Sequence, residues 1–224
     1  MQQVIKIGSI LTIFLMLSAC TYRGNIKDDF YKPTASQNRL PVRAYLVWDS
    51  VLDSQKFIAK NMMGLYDAEI GSAPGLKLAF ANALGGVFEH LNVADRIDDT
   101  ELGKNNILIL PKYEIRSDAV YIQLTVKDAN TADVIDKYEA SGNIPYNYPA
   151  SAHVLRILNI IPCALLCSPI VEPMVTDIIG KQLVSDYENR ISETLDSIVR
   201  DIRNDRKLTL KYNSAIAPYP QTTF

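Results

Sequence analysis

The residue best placed to do chemistry is Cys20, a thiol that directly follows the small residues Ser18 and Ala19. Upstream, residues 7–17 carry no charge, and the cationic residue before them is a lysine. A cationic start, a short apolar core and small residues at a cleavage point are typical of a secretory signal. Because this run is shorter than the roughly 20 residues that span a bilayer, we expect residues 1–19 to be a cleaved signal peptide.

The stretch Leu17-Ser18-Ala19-Cys20 resembles the lipobox of bacterial lipoproteins. The resemblance implies that Cys20 becomes the first mature residue and is acylated, for example with palmitate. Two or more acyl chains attach a protein stably, whereas one chain alone is marginal. In organisms that sort lipoproteins, an Asp after this Cys favours the inner membrane, but here Thr21 follows. The resemblance therefore implies a lipid-anchored protein of the outer membrane that faces the periplasm.

The composition restricts the function further. The net charge is −2, which argues against a nucleic-acid binder because such a protein needs a basic face. Hydrophobic residues make up 48% and charged residues 21%, an ordinary globular composition. No second uncharged run long enough to cross a bilayer is present, so acyl chains are the expected link to the membrane.

The remaining thiols, Cys163 and Cys167, form a second candidate site. In an oxidising periplasm an even pair of cysteines favours a disulfide. On a regular helix, a four-residue spacing separates the α-carbons by about 6 Å, but the side-chain geometry is poor for a disulfide. Pro162 and Pro169 flank the pair, so the backbone between them need not be a regular helix. A disulfide and two buried free thiols both remain open. We expect no metal site here, since two thiols alone do not complete a tetrahedral ligand set.

The other polar residues do not form a recognisable catalytic pattern. His90 is expected at the end of an amphipathic helix, where the helix dipole favours a cation, and His153 has no acid at a motif spacing. No nucleophile elbow, zinc-protease, Walker or dinucleotide-binding motif occurs. The clustered acids fit turns and strand ends better than paired acid–base chemistry; they are Asp95, Asp98, Asp99, Asp128, Asp133 and Asp136. We therefore expect neither an enzyme nor a bound cofactor.

The remainder of the chain predicts one α+β domain over residues 41–212, preceded by a flexible tether at 20–40 and followed by a loose tail at 213–224. Residues 41–49 alternate as a strand with one apolar face. Residues 50–71 are less regular, with either a short helix or a loop at 54–60 and an extended edge at 62–70.

The clearest predicted helix begins at Ser72, which is expected to cap its free amides, with Pro74 in the first turn. A single apolar stripe with helical spacing continues to Leu91. Two adjacent glycines, Gly85 and Gly86, fall inside this stripe and are expected to allow a close backbone approach.

An antiparallel meander is predicted after this helix. A short strand at 92–98 precedes strong alternation at 107–115 and 119–127. Asp128 opens a turn through residue 131, because Asp and Asn bond their own backbone, and a third strand follows at 133–142. The predicted sheet is mixed or antiparallel, with four to five strands.

The most unusual part of the chain is residues 154–175, an apolar helical segment that three prolines interrupt. It is either core covered by the following helix or an exposed surface for a protein or a membrane. A long amphipathic helix at 176–203 and a last short strand at 208–212 are expected to follow. The candidate interaction surface of the segment comprises Leu155, Ile157, Leu158, Ile160, Ile161, Leu165, Leu166, Ile170 and Val171.

This order of elements resembles a group of envelope lipoproteins and periplasmic domains that includes the amino-terminal domain of TolB and the curli-secretion and Pel-export lipoproteins. The resemblance is carried by Ile70-Gly71 leading into the helix, by residues 87–93, and by the two strands around Asp128 that end at Ser141-Gly142. It covers residues 41–142 and the last helix. The apolar segment departs from the pattern, and no functional residue of those families maps here.

Together these features predict a non-enzymatic lipoprotein that acts as a scaffold or assembly component of an envelope complex. Its expected partners are the membrane, through the lipid, and either another protein or further copies of itself. The alternative is a carrier that shelters an apolar ligand or lipid between the long helix and the sheet, which requires a sizeable apolar cavity.

Overall fold

Helices and strands are mixed along the chain, so the predicted α+β class is confirmed. The computed structural model describes residues 22–33, 39–60, 67–72, 74–98, 102–103, 105–145 and 168–213. The strands are β1 (Tyr22–Asn25), β2 (Leu40–Val47), β3 (Lys56–Lys60), β4 (Asp67–Gly71), β5 (Phe88–Ala94), β6 (Ile107–Ile115), β7 (Ala119–Asp128) and β8 (Val134–Asn143). The helices are α1 (Ser50–Asp53), α2 (Gly75–Gly85), α3 (Ser168–Asn204) and α4 (Arg206–Asn213).

The main sheet has five strands in the order β5-β2-β6-β7-β8. Strand β2 pairs in parallel with both β5 and β6, and the remaining pairs are antiparallel. The predicted meander and the turn at Asp128 are therefore confirmed; the Asp128 carboxylate accepts a hydrogen bond from the Asn130 N–H at 2.9 Å. A second, three-stranded sheet, β1-β4-β3, was not predicted.

One face of the main sheet is buried. Alternate residues of β7 point into the core, and on this side α3 packs against β7 and β8 while α2 packs against β5. At its centre, the Trp48 ring meets Phe80 edge-on at 5.2 Å between centroids and stacks on Tyr113 at 6.1 Å. We call this side the helix face of the sheet.

The helix predicted from Ser72 to Leu91 is shorter than expected. It ends at Gly85, and the chain turns at Gly86 and continues as β5, in parallel register with β2. His90 therefore lies exposed on a strand, and the prediction that it sits at a helix end is wrong. Ser72 does not cap the helix either, because its hydroxyl donates to the carbonyl of Gln55 at 2.9 Å.

The prediction of a flexible tether is wrong for residues 22–33, which run along α3. Ile26 and Tyr31 are buried there. The Lys27 N–H donates to the Glu188 carboxylate at 2.9 Å, and the Tyr31 hydroxyl donates to Asp196 at 2.8 Å. This N-terminal segment (residues 22–33) is thus part of the folded domain.

The N-terminal segment begins with a close ring-on-glycine contact. The Tyr22 ring lies directly over Gly180 of α3, so that a Cβ added at Gly180 would overlap it. Strand β1 also pairs in parallel with β4, with Tyr22 opposite Ala68. Glycine has a low helix propensity, so helix formation alone would not favour it at position 180. It is needed there because β1 approaches the helix closely.

Helix α3 has 37 residues and is about 55 Å long at 1.5 Å per residue. It includes the predicted helix at 176–203 and begins earlier, at Ser168. Among the described residues, no helix is both long and apolar enough to cross a membrane. The last strand predicted at 208–212 is wrong: Asp205 accepts a hydrogen bond from the Lys207 N–H at 2.7 Å, and α4 follows with Leu208 buried.

Helix α3 also buries an incompletely paired carboxylate, Asp186, whose exposed fraction is 7%. Gln182 donates to its Oδ1 at 2.8 Å, but its Oδ2 has no hydrogen-bond partner in the described part of the chain. Burial raises the pKa of the Asp186 carboxyl, because the charged form loses its hydration.

We predict that Gly180→Ala destabilises the protein. In an ordinary helix interior this change stabilises by about 1 kcal/mol, but here the new methyl group overlaps the Tyr22 ring. The strain is expected to lower the free energy of unfolding by about 1–3 kcal/mol. Urea unfolding followed by circular dichroism measures it.

Gly85→Ala in α2 is the matched control, because a Cβ there has no heavy atom within 4 Å. It is expected to leave stability unchanged or to raise it by up to about 1 kcal/mol. If both alanine variants behaved alike, the contact between Tyr22 and Gly180 would not constrain the fold.

We predict that Asp186→Asn stabilises the protein at pH 7. The native state holds the Asp186 proton more tightly than the unfolded chain does, so the wild type loses stability as the pH rises above the ordinary pKa of about 4. The amide has no charge to desolvate and is expected to gain about 1 kcal/mol, a few degrees in Tm. The gain should shrink towards pH 4. Thermal unfolding from pH 4 to 8 measures it, with Asp177→Asn as control because Asp177 forms an exposed pair with Lys181; a pH-independent difference would contradict the prediction.

Candidate functional site

The residues predicted to carry function lie mostly outside the described residues. This holds for Cys20, Cys163 and Cys167, so the acylation and the disulfide stay predictions. Of the predicted interaction surface, Leu155, Ile157, Leu158, Ile160, Ile161, Leu165 and Leu166 also lie outside it. Ile170 and Val171 belong to the first turn of α3, where the backbone alone is described.

Three of the clustered acidic residues, Asp95, Asp128 and Asp136, are each held by a lysine. Lys211 of α4 donates to Asp128 at 2.7 Å and Lys207 to Asp136 at 3.0 Å; these bonds hold the pKa of each carboxyl below its ordinary value. Lys77 of α2 pairs with Asp95. Within the described ranges, no group of three or more His, Cys, Asp or Glu residues is placed to hold a metal ion. These carboxylates therefore fasten the helices to the sheet.

A cleft of about 600 Å³ lies where β2 and β5 end, beside the middle of β6. These three strands are parallel, so their carboxyl ends point the same way, and such edges are common binding sites in α/β sheets. We call it the carboxyl-edge cleft. Its lining residues are Val47, Asp49, Ser50, Leu52, Asp95, Arg96, Ile97, Leu110 and Pro111.

One wall of the carboxyl-edge cleft is α1, a short helix that side chains on both sides fix in place. Asp49 accepts a hydrogen bond from the Val51 N–H at 2.9 Å and so caps its start. The Trp48 indole donates to Asp53 at 2.6 Å. The Tyr113 hydroxyl donates to the carbonyl of Leu52 at 2.6 Å, and burial raises the pKa of Tyr113. The wall is therefore preformed.

The opposite wall is the chain that follows β5. The pair between Lys77 and Asp95 ties it to α2, and the Tyr45 hydroxyl donates to the carbonyl of Arg96 at 3.1 Å. The lining residue Ile97 is 48% exposed, and Val51, which lies between the lining residues Ser50 and Leu52, is 62% exposed; we take these two side chains as the rim of the cleft. An apolar rim on a fixed cleft favours contact with another molecule. Within the cleft, the Ser50 hydroxyl donates at 3.5 Å to the Asp49 carboxylate, which also caps α1.

A smaller cleft of about 300 Å³ lies between α2 and α3. Its polar groups are largely used within the protein: Tyr31 donates to Asp196, and Arg203 donates to the carbonyl of Gly86 at 3.0 Å, where α2 ends. Burial raises the pKa of Tyr31. This cleft is a joint between the helices and the N-terminal segment.

The carboxyl-edge cleft was not predicted from the sequence, because residues 50–71 have no regular pattern of apolar residues. A usable signal was present: Asp49 follows a strand directly and is a good helix-capping residue for the Ser50 that starts α1. The second wall carried no such signal, since its position depends on pairing between Lys77 and Asp95, 18 residues apart.

Comparison with known proteins identifies no family. No family model matches this chain, and no curated protein matches it. Among solved structures, the chain is similar to protein XCC0632 from Xanthomonas campestris, which is described under the family DUF330. The similarity covers 76% of this chain and 98% of that chain, at 10% identity and a TM-score of 0.36. At that level it carries no argument about the function of this chain.

Proposed function

We propose that this chain is a lipoprotein of the outer membrane, acylated at Cys20, that works in the periplasm as a non-enzymatic scaffold of an envelope assembly. The observation that carries the proposal is the contact between Tyr22 and Gly180. It fixes the chain two residues after Cys20 onto the longest helix of the domain.

The short distance from Cys20 to Tyr22 determines how such an anchor would act. Two extended residues span about 7 Å, so acyl chains on Cys20 would hold the domain against the bilayer instead of on a long tether. Membrane attachment would then restrict the orientation of the whole domain, which suits a protein that positions a partner.

The anchored end of the domain is also the end with the carboxyl-edge cleft. Arg190 of α3 packs on Gly142 of β8, while Asp205 bonds Tyr138, so α3 runs antiparallel to β8. Two antiparallel pairings relate β8 to β6, which is parallel to β2. The start of α3, near Gly180, therefore lies towards the carboxyl ends of β2 and β5. A partner in the cleft would sit close to the membrane.

The alternative function, a carrier for an apolar ligand, needs a cavity between the long helix and the sheet. In the described residues this space is filled by side chains of α3 that are at most 1% exposed: Tyr187, Ile191, Leu195 and Ile198. The clefts that the structure describes open at the surface instead. This packing favours the scaffold over the carrier.

We predict that Cys20→Ser abolishes fatty-acid labelling of the protein. Cells that produce the wild type or the variant are given a clickable palmitate analogue. The label on the purified chain is measured, and the amount of the chain in the membrane fraction is compared between the two forms. The wild type is expected to be labelled and membrane-bound, and the variant unlabelled, because the acceptor thiol is absent.

The double variant Cys163→Ser, Cys167→Ser is the matched control and should retain full labelling. Equal labelling of wild type and Cys20→Ser, or no label on either, would contradict the proposed anchor.

We predict that a partner contacts the carboxyl-edge cleft in cells. A photocrosslinking amino acid at Val51, on the exposed rim, is expected to give an adduct of one discrete mass. Adding Ile97→Asp should abolish this adduct, because a charge at the apolar rim opposes burial of the interface. Immunoblots after irradiation of intact cells measure both.

The control position is Leu210 on α4, which is 71% exposed and distant from the cleft in sequence. It should give no adduct of the same mass. An adduct at both positions, or one at Val51 that is insensitive to Ile97→Asp, would exclude a specific partner site here.

A further inference from the structure

Strand β5 lies at one edge of the main sheet and pairs with β2 alone among the described residues. The Trp48 N–H donates to the carbonyl of Ala94 at 2.7 Å, and on the other side of β2 the Asn106 N–H donates to Arg43. In a β-strand, the N–H and the C=O of one residue point towards the same neighbouring strand, and those of the next residue point the opposite way. From His90 to Ala94, the even-numbered residues of β5 therefore bond β2, and the odd-numbered residues point their N–H and C=O away from the sheet. Before His90 the register shifts, and the Leu40 N–H donates to the carbonyl of Val87 at 2.7 Å. The residues whose backbone groups point outward at this edge are Leu91 and Val93.

Beyond the register shift opposite Phe88–His90, the outer edge of β5 lacks the usual protection. Natural edge strands avoid pairing through lysines, prolines, bulges or short length. Strand β5 has seven residues and contains no Lys, Arg or Pro. The opposite edge, β8, is more highly charged: it carries Asp136, Lys137 and Glu139. The pairing of each edge strand with its neighbour has one register shift, near Leu40 for β5 and near Lys127 for β8. The two edges are therefore not equivalent, and β5 is suited to accept a strand.

We propose that β5 pairs antiparallel with β5 of a second copy of this chain, about a two-fold axis at Leu91, so that two five-stranded sheets become one. In this register Leu91 opposes Leu91 of the other copy, and Glu89 opposes Val93. At Leu91 the outward N–H of each copy then meets the outward C=O of the other copy, because the backbone groups of Leu91 point away from the sheet.

The side chains of β5 are complementary to themselves in this register, which is the reason to assign a second copy and not an unrelated peptide. His90 opposes Asn92, and Glu89 opposes an uncharged residue, so no like charges face each other. Val93 is 38% exposed, and Leu78, on the helix that covers β5, is 41% exposed. Pairing would add these apolar side chains to the interface.

Charge changes at Val93 test the register, because Val93 of each copy faces Glu89 of the other, which gives two such pairs in the dimer. Val93→Glu is expected to weaken the dimer about 3- to 10-fold and Val93→Lys to strengthen it by a similar factor, because opposed charges differ by a few tenths to one kilocalorie per pair. The double variant Glu89→Lys, Val93→Glu should recover wild-type affinity. Sedimentation of the full chain in detergent gives the dissociation constants.

Val134→Glu is the matched control, as Val134 is 51% exposed on the opposite edge of the sheet. It should leave the dimer unchanged. A wild type that is monomeric at all concentrations, or a dimer that ignores the sign of the charge at position 93, would overturn the proposal, and so would adducts of this edge with other proteins only.

Disulfide trapping tests the two-fold axis independently. Opposed residues in a hydrogen-bonded antiparallel pair have α-carbons about 5.5 Å apart, within disulfide range. Leu91→Cys is expected to give a dimer on oxidation in cells, above the background from the chain's own cysteines. Asn92→Cys should not, because it faces His90 of the other copy. Trapping at Asn92, or at neither position, would exclude this register. Neither test depends on acylation of Cys20, so failure of the anchor would leave the result interpretable.

Discussion

The packing of the N-terminal segment along α3 is the interaction on which the rest of the arrangement depends. The segment contacts the helix at Gly180, Glu188 and Asp196. Each of these residues is eight positions, or about 12 Å along the helix, from the next. Four or five extended residues cover such a step, which is the spacing of Tyr22, Lys27 and Tyr31. The same segment pairs with β4, and a Cβ on Gly75 would overlap its backbone at the start of α2. One stretch of chain thus joins the small sheet and both long helices.

The parts of the fold that could be predicted from sequence are those whose pattern extends over many residues. Strand β7 alternates over its whole length, and α3 keeps an apolar face over most of its turns. Strand β1 has four residues and no pattern of its own, since its place depends on β4 and on Gly180. The carboxyl-edge cleft escaped prediction for the same reason, because residues from three elements and from the chain after β5 build it.

Two errors arose where a local pattern fitted both helix and strand. Leu84, Val87, Phe88 and Leu91 keep a helical spacing, yet the two glycines end α2 and pairing with β2 makes the rest a strand. Leu208, Leu210 and Tyr212 alternate like a strand, but capping by Asp205 and burial of Leu208 favour a helix. In both cases tertiary contacts outweighed the apolar pattern.

The proposed lipid anchor and the proposed pairing of two copies place compatible demands on this geometry. Two anchored copies can share one bilayer under two-fold symmetry when the axis is normal to the membrane. An antiparallel pair of edge strands has its two-fold axis perpendicular to the sheet, which leaves both helix faces on the same side. The N-terminal segment lies on α3, which covers that face, so Tyr22 of each copy would also be on that side. The sheet would then lie parallel to the bilayer with its helices towards the lipid, and a short link from Cys20 would not need to stretch to bring both anchors to the membrane.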